Sequence, residues 1–180
     1  MNNSVTASGV LSFSTHYRAT RAVVACSKIR ALTYGFFVGL PLLALAFKFV
    51  TGSDLAKPSV LGLPVWVVLL LGPAFVFVLL PLLHALNVWQ MRRNNKALVG
   101  VLHCTVNKEG FELHGGNFEV KLNWDAIQRV VETRHFFLFY VATTMAHFLP
   151  KWWIESSEGL GETRAIIQDA VGEKAKLRSS

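Results

Sequence analysis

From Leu63 to Leu83 the chain carries no charge and no side chain more polar than the indole of Trp66, and the helix it implies ends in Arg92, Arg93 and Lys96. About 20 such residues rise about 30 Å as a helix, the thickness of a bilayer's hydrocarbon core. A 180-residue chain with a second apolar run just upstream cannot bury both inside one soluble core. Residues 60–88 are therefore expected to span a membrane, and residues 31–50, ALTYGFFVGLPLLALAFKFV, to span it a first time. Pro64 suits a first helical turn, whereas Pro73 and Pro81 should kink the second helix or be absorbed by their surroundings. Residues 51–59, TGSDLAKPS, are turn formers and make a short loop on the far side.

The formal net charge of +7 could suggest a nucleic-acid partner, so its placement matters. Residues 1–30 hold Arg18, Arg21, Lys28 and Arg30 with no acid, and Arg92, Arg93 and Lys96 follow the second helix. Residues 97–180 carry nine basic and ten acidic side chains. The basic excess thus flanks the apolar segments, which is a topology signal with both ends cytoplasmic and not a nucleic-acid footprint. Residues 1–12 predict a loose tail or a short strand. Within residues 1–30, Arg18, Arg21 and Lys28 share one face of a basic amphipathic helix, placed at the membrane surface or serving only to set topology.

Several local patterns have competing explanations. Ala44-Leu45-Ala46 resembles a signal cleavage site, but a signal has a short n-region and this apolar run starts only after 30 residues. Gly35-x-x-x-Gly39 is a candidate helix-packing motif, used against the chain's own second helix or, in a homodimer, against a second copy. Lys48 can snorkel from the end of its helix, and His84, near the end of the second, could sense protons but is expected to face headgroup water. Cys26 and Cys104 have no metal or redox spacing and read as reduced thiols.

After Lys96 the periodicity becomes two. Leu102, Cys104 and Val106, then Phe111 and Leu113, then Phe118, Val120, Leu122 and Trp124 define a three-strand antiparallel meander with turns at 107–110 and 115–116. Ile127, Val130 and Val131 suggest a helical turn or an irregular strand. His135 to Val141 reads as a strand buried on both faces, followed by a returning strand at 146–149. Leu160, Thr163, Ile167, Ala170 and Val171 lie on one face of a closing helix. The fold class is an α+β membrane protein: a two-helix transmembrane hairpin, a small antiparallel domain at 97–172 with a C-terminal helix, and a frayed tail at 173–180.

Glu109-Gly110-Phe111, Leu122-Asn123-Trp124-Asp125-Ala126-Ile127, Val131-Glu132-Thr133, the aromatic strand with Phe137 and Tyr140, and Leu149-Pro150-Lys151 follow two apolar helices. This set resembles the YcxB-like family of bacterial membrane proteins. The resemblance implies a cytosolic domain similar to pleckstrin-homology modules, and it implies no reaction. Where the family follows Pro-Lys with a small residue and a phenylalanine, this chain has Trp152-Trp153-Ile154.

Site candidates follow from chemistry. His103 and His114 fall on outward positions of neighbouring strands, with His135 and His147 on a later pair, but no zinc spacing occurs, so no metal and no cofactor is expected. Glu132-Thr133-Arg134-His135 and Ser156-Ser157-Glu158 lack the order of a nucleophile and its base, and no enzyme activity is expected. Trp124 closes the sheet as a core or corner residue. Trp152 and Trp153, adjacent in an extended segment, point to opposite sides, so one is buried and the other is available. With Lys151, and with Arg92, Arg93 and Lys96 at the membrane boundary, they make a basic-aromatic contact surface for anionic lipid headgroups or another membrane protein. The alternative is an accessory subunit of a transport or channel assembly, in which the hairpin is the active part.

Overall fold

A computed structural model describes residues 4–26, 28–52, 64–94 and 100–178. The chain divides into two compact units, one of Met1–Ala25 with Val88–Ser180 and one of Cys26–Asn87. The first is α+β, with antiparallel sheets and a C-terminal helix.

Its first sheet has the order β1-β2-β3-β4: Ser4–Val10, Val101–Asn107, Gly110–Gly115 and Phe118–Asn123. The expected meander is present, and its register places His103 opposite His114. The turn between β2 and β3 is closed by Asn107, whose Oδ1 accepts from the backbone N–H groups of Glu109 and Gly110 at 2.8 and 2.9 Å. Gly110 is required there, because a Cβ would overlap the Leu122 carbonyl on β4. Of the two expectations for residues 1–12, the strand holds, and its pairing is long-range: β1 runs antiparallel to β2, with Val5 opposite Val106 and Val10 opposite Val101. The SVTASGV segment has little hydrophobicity of its own. Val5 and Ala7 are buried because β2 offers a ladder and the core a surface.

The second sheet has the order β7-β6-β5-β8, formed by Ala146–Pro150, Phe136–Tyr140, Arg129–Glu132 and Ala175–Lys176. Val130 and Val131 lie on the strand 129–132, the second of the two alternatives for that region, and a helical turn at residues 124–126 comes just ahead of Ile127. All five residues of β6 are buried, as its unbroken aromatic run predicts. Phe137 and Phe139 face the main core, where the Phe139 ring stacks on Phe111 with centroids 4.5 Å apart. The opposite face is covered by α1, Phe13–Ala25. The Tyr140 hydroxyl donates to the Val23 carbonyl at 2.9 Å, and the His16 ring lies 6.0 Å from that of Phe148 on β7. A helix therefore forms here with Arg18 and Arg21 on it, but it ends at Ala25, Lys28 belongs to the next helix, and the face carrying His16, Ala19 and Val23 is spent on this sheet.

The closing helix α6, Ser157–Val171, is capped by Ser156, whose Oγ accepts from Gly159 N at 2.9 Å, and it buries Thr163 and Ile167. It ends at Gly172 with φ of 52°, a left-handed position suited to glycine. The tail beyond it does not fray as expected. It continues into β8, parallel to β5, and packs Ala175 and Leu177 against the core. Hydrophobic contact and two ladder positions hold a segment whose composition alone reads as polar.

The second unit is helical: α2 (Lys28–Tyr34), α3 (Leu40–Val50) and α4 (Val65–Ala74), with α5 (Leu80–Asn94) starting in it and ending in the first unit. Two π-helical segments, Gly35–Gly39 and Phe75–Leu79, each lie two residues ahead of a proline, Pro41 and Pro81. The wider turn joins Leu40 N to Gly35 O and Leu80 N to Phe75 O, so the proline's missing N–H and its ring are absorbed without breaking the helix. The two segments meet through Phe37 on Phe75 at 4.8 Å, and Tyr34 at the end of α2 meets Phe77 at 5.8 Å. Among the described residues one helix, Leu70–Asn94, is long and apolar enough to cross a membrane, and a shorter apolar helix covers Ala31–Phe47. Most of the expected 51–59 loop and the start of the second expected span lie outside the described residues.

Candidate functional site

Trp152 and Trp153 separate as their adjacency requires, although they lie on a helical turn, Lys151–Trp153, and not on an extended segment. Trp153 is 5% exposed and its indole covers Gly9 of β1, where any Cβ would overlap the ring. Trp152 is 51% exposed. Its ring is held from behind by edge contacts to Phe136 and His135, at 5.3 and 6.4 Å. An outward indole with a fixed orientation loses little entropy on binding an interface.

Lys151 does not join it as a free cation. Its Nζ is bonded to the Glu132 carboxylate and lies 5.2 Å from the Phe137 ring centroid. Glu132 has a fully buried side chain, and two further residues converge on it. Arg164 of α6 donates from Nε and Nη2 at 3.1 and 2.8 Å to Oε1, and the backbone N–H of Arg178 donates to Oε2 at 3.0 Å. Burial pushes the carboxyl's pKa up, but the hydrogen bonds from Arg164, Lys151 and Arg178 outweigh it and hold the value down, to about 2. One carboxylate thus ties β5, the turn after β7, α6 and the tail together. The Lys151 charge is committed to that clasp, which corrects its assignment to the contact surface.

The remaining expected contact residues lie elsewhere. The Arg92 Nη1 donates to the Leu11 carbonyl at 2.6 Å, and the Arg93 guanidinium sits 5.4 Å from the Trp89 ring centroid. Lys96 lies outside the described residues. Among the described residues nothing lies within 4 Å of where a Cβ of Gly35 or Gly39 would stand, so neither marks a close approach between the described apolar helices. The close approach falls at Gly72 instead, where a Cβ would overlap the Phe37 carbonyl oxygen. An internal glycine among leucines gives no spacing signal for that role.

Trp124 is buried at the sheet corner, its Nε1 donating to the Asn107 carbonyl at 3.1 Å. Beside it an open cavity of about 430 Å³ is lined by Lys108, Glu109, Asn123, Trp124 and Asp125, residues of both charge signs that select no one ligand class. His147 is half-buried, and burial lowers its pKa. Thr133 spends its hydroxyl on the turn to Phe136, and Ser156 spends its own on the α6 cap. Among the described residues no three His, Cys, Asp or Glu side chains gather in a way that could hold a metal ion.

This architecture of two small, mainly antiparallel sheets and a closing helix defines a small α+β module. Residues 106–167 match the family model of YcxB-like protein, and the chain carries a YcxB-like domain over that stretch. No curated protein and no solved structure matches the chain. The matched stretch begins inside β2 and ends inside α6, so β1, α1 and both apolar helices lie outside it.

Proposed function

We propose that this is an integral membrane protein whose two apolar segments form a transmembrane hairpin. The hairpin holds a domain similar to pleckstrin-homology modules at the cytoplasmic face of a bacterial inner membrane, for non-enzymatic recognition of lipid headgroups or of another membrane protein. One observation carries the hairpin. Val10 and Val101 are cross-strand partners in one sheet, and the whole apolar unit is inserted between them. This pairing supports placing the residues on both flanks of the insertion on one side of the membrane and an even number of crossings, with Ala31–Phe47 as the partner of Leu70–Asn94. The chain's basic residues on both flanks of the insertion support the cytoplasmic side for the domain.

The hairpin confines the domain to the bilayer, so weak contacts suffice for recognition. Trp152 is the contact residue best supported by exposure and by its rigid seat. A photoreactive phenylalanine in place of Trp152, in the full chain in its own membrane, is expected to give an adduct with lipid or with a membrane protein. An adduct yield no higher than that from the exposed control position Lys121 would overturn this role.

A further inference from the structure

We infer that α1 lies flat on the bilayer and that its outward stripe is the headgroup-binding face of the domain, an inference that rests on the membrane reading above. The helix has two working faces. His16, Ala19 and Val23 are buried against the second sheet. Phe13, Tyr17, Arg21 and Val24 follow at spacings of four, four and three, which puts them on one outward arc. Phe13 and Val24 are 42% and 45% exposed. The Phe13 and Tyr17 rings stack with centroids 6.2 Å apart, and the Arg21 guanidinium sits 5.7 Å from the Tyr17 centroid. Arg18 is exposed on the flank of the same arc.

Both ends of α1 are tied to apolar segments. Its C-terminal end, Ala25, is followed by α2 from Lys28. At its other end the Leu11 carbonyl takes the hydrogen bond from Arg92, which belongs to the last turn of the Leu70–Asn94 span. A 13-residue helix is about 20 Å long, and its outward stripe runs nearly end to end, so the helix meets a surface along its length. The exposed pair Val10 and Val101 extends the apolar surface beside Leu11.

Charge decides the occupant. Residues 1–30 contain four cations and no acid, so aromatic and aliphatic groups flanked by arginine face outward with no negative side chain nearby in sequence. That composition fits an anionic lipid surface, into which aromatic rings insert to headgroup depth while arginines meet phosphate.

The test uses the full chain in nanodiscs of phosphatidylcholine with or without phosphatidylglycerol, in a Cys26→Ser background in which Cys104 is buried. An environment-sensitive fluorophore is placed at Phe13→Cys or Val24→Cys, with Lys121→Cys as the reference on the outer face of the meander. The first two positions are expected to shift to the blue in anionic discs and to be quenched by brominated lipid several-fold more than the reference. Arg18→Glu with Arg21→Glu is expected to abolish the difference while the domain still unfolds cooperatively. Probes at 13 and 24 as wet as the reference, in protein that is inserted, would overturn the inference alone. Shielding that grows with the number of chains per disc and ignores lipid charge would assign the stripe to a second copy and overturn it as well. Failure of the chain to insert at all would overturn the membrane reading together with it.

Discussion

Glu132→Gln removes the charge from the clasp while keeping its shape. The carboxyl has an ordinary value of 4.5 and is held at about 2, a difference worth about 3 kcal/mol at neutral pH by linkage. Gln leaves Lys151 and Arg164 facing a neutral amide, and the loss is expected to be of that size, against a total stability of about 5–15 kcal/mol for a domain. For a unit of this length the melting temperature should fall by roughly 10 °C. The assay is tryptophan fluorescence of the full chain in detergent micelles at pH 7, since Trp124 and Trp153 are buried in the domain. Because the folded value lies below the unfolded one, the contribution is present above about pH 4.5 and disappears as pH falls through about 2. The wild type should therefore lose stability across that window and the variant should not. Adding Lys151→Met to Glu132→Gln should cost less than the two single changes summed, because the two residues share one interaction. A Gln variant that melts within about 1 °C of wild type would refute the clasp, since effects that small are typical of exposed ion pairs.

The two adjacent indoles should behave differently. Trp153→Ala should cost about 3–5 kcal/mol, and Trp152→Ala, half outside, about 1 kcal/mol or less in the same melt. Gly72→Val should separate the apolar helices and lower disulfide crosslinking between engineered cysteines on α3 and α4, whereas Gly39→Ala should leave it unchanged. Burial pushes the Cys104 thiol up to about 12, so in the native protein maleimide should label it far more slowly than Cys26 and at equal rate after unfolding. Burial favours neutral His147, so the domain should lose stability as pH falls below about 6.5, and His147→Phe should flatten that dependence in a pH series of melts.

The meander was legible because a two-residue period fixes which side chains point inward, and its turns carry Asn107 and the Gly115-Gly116 pair. That is why His103 and His114 could be placed on outward faces of neighbouring strands, and the structure sets them opposite each other. The buried aromatic strand was legible too, but not what covers it: α1 lies more than a hundred residues upstream and leaves no local trace in β6. The pairing of β1 was hidden for the same reason, since SVTASGV is weakly apolar and becomes a buried strand only beside β2. Lys151 looked like a surface cation because the carboxylate that captures it is 19 residues away. The two glycines spaced by four drew attention as a packing motif, while the close approach fell on a single glycine with no motif around it.

The central claim is that the inserted unit crosses the membrane twice and leaves the domain on one side. The direct measurement is labelling by a membrane-impermeant maleimide in sealed right-side-out vesicles, with single cysteines at Thr51, Ser8 and Lys121 in the Cys26→Ser background. The account predicts that Thr51→Cys is labelled in intact vesicles and that Ser8→Cys and Lys121→Cys are labelled only after permeabilisation. Equal labelling of all three in intact vesicles, or release of the protein by an alkaline carbonate wash, would contradict it.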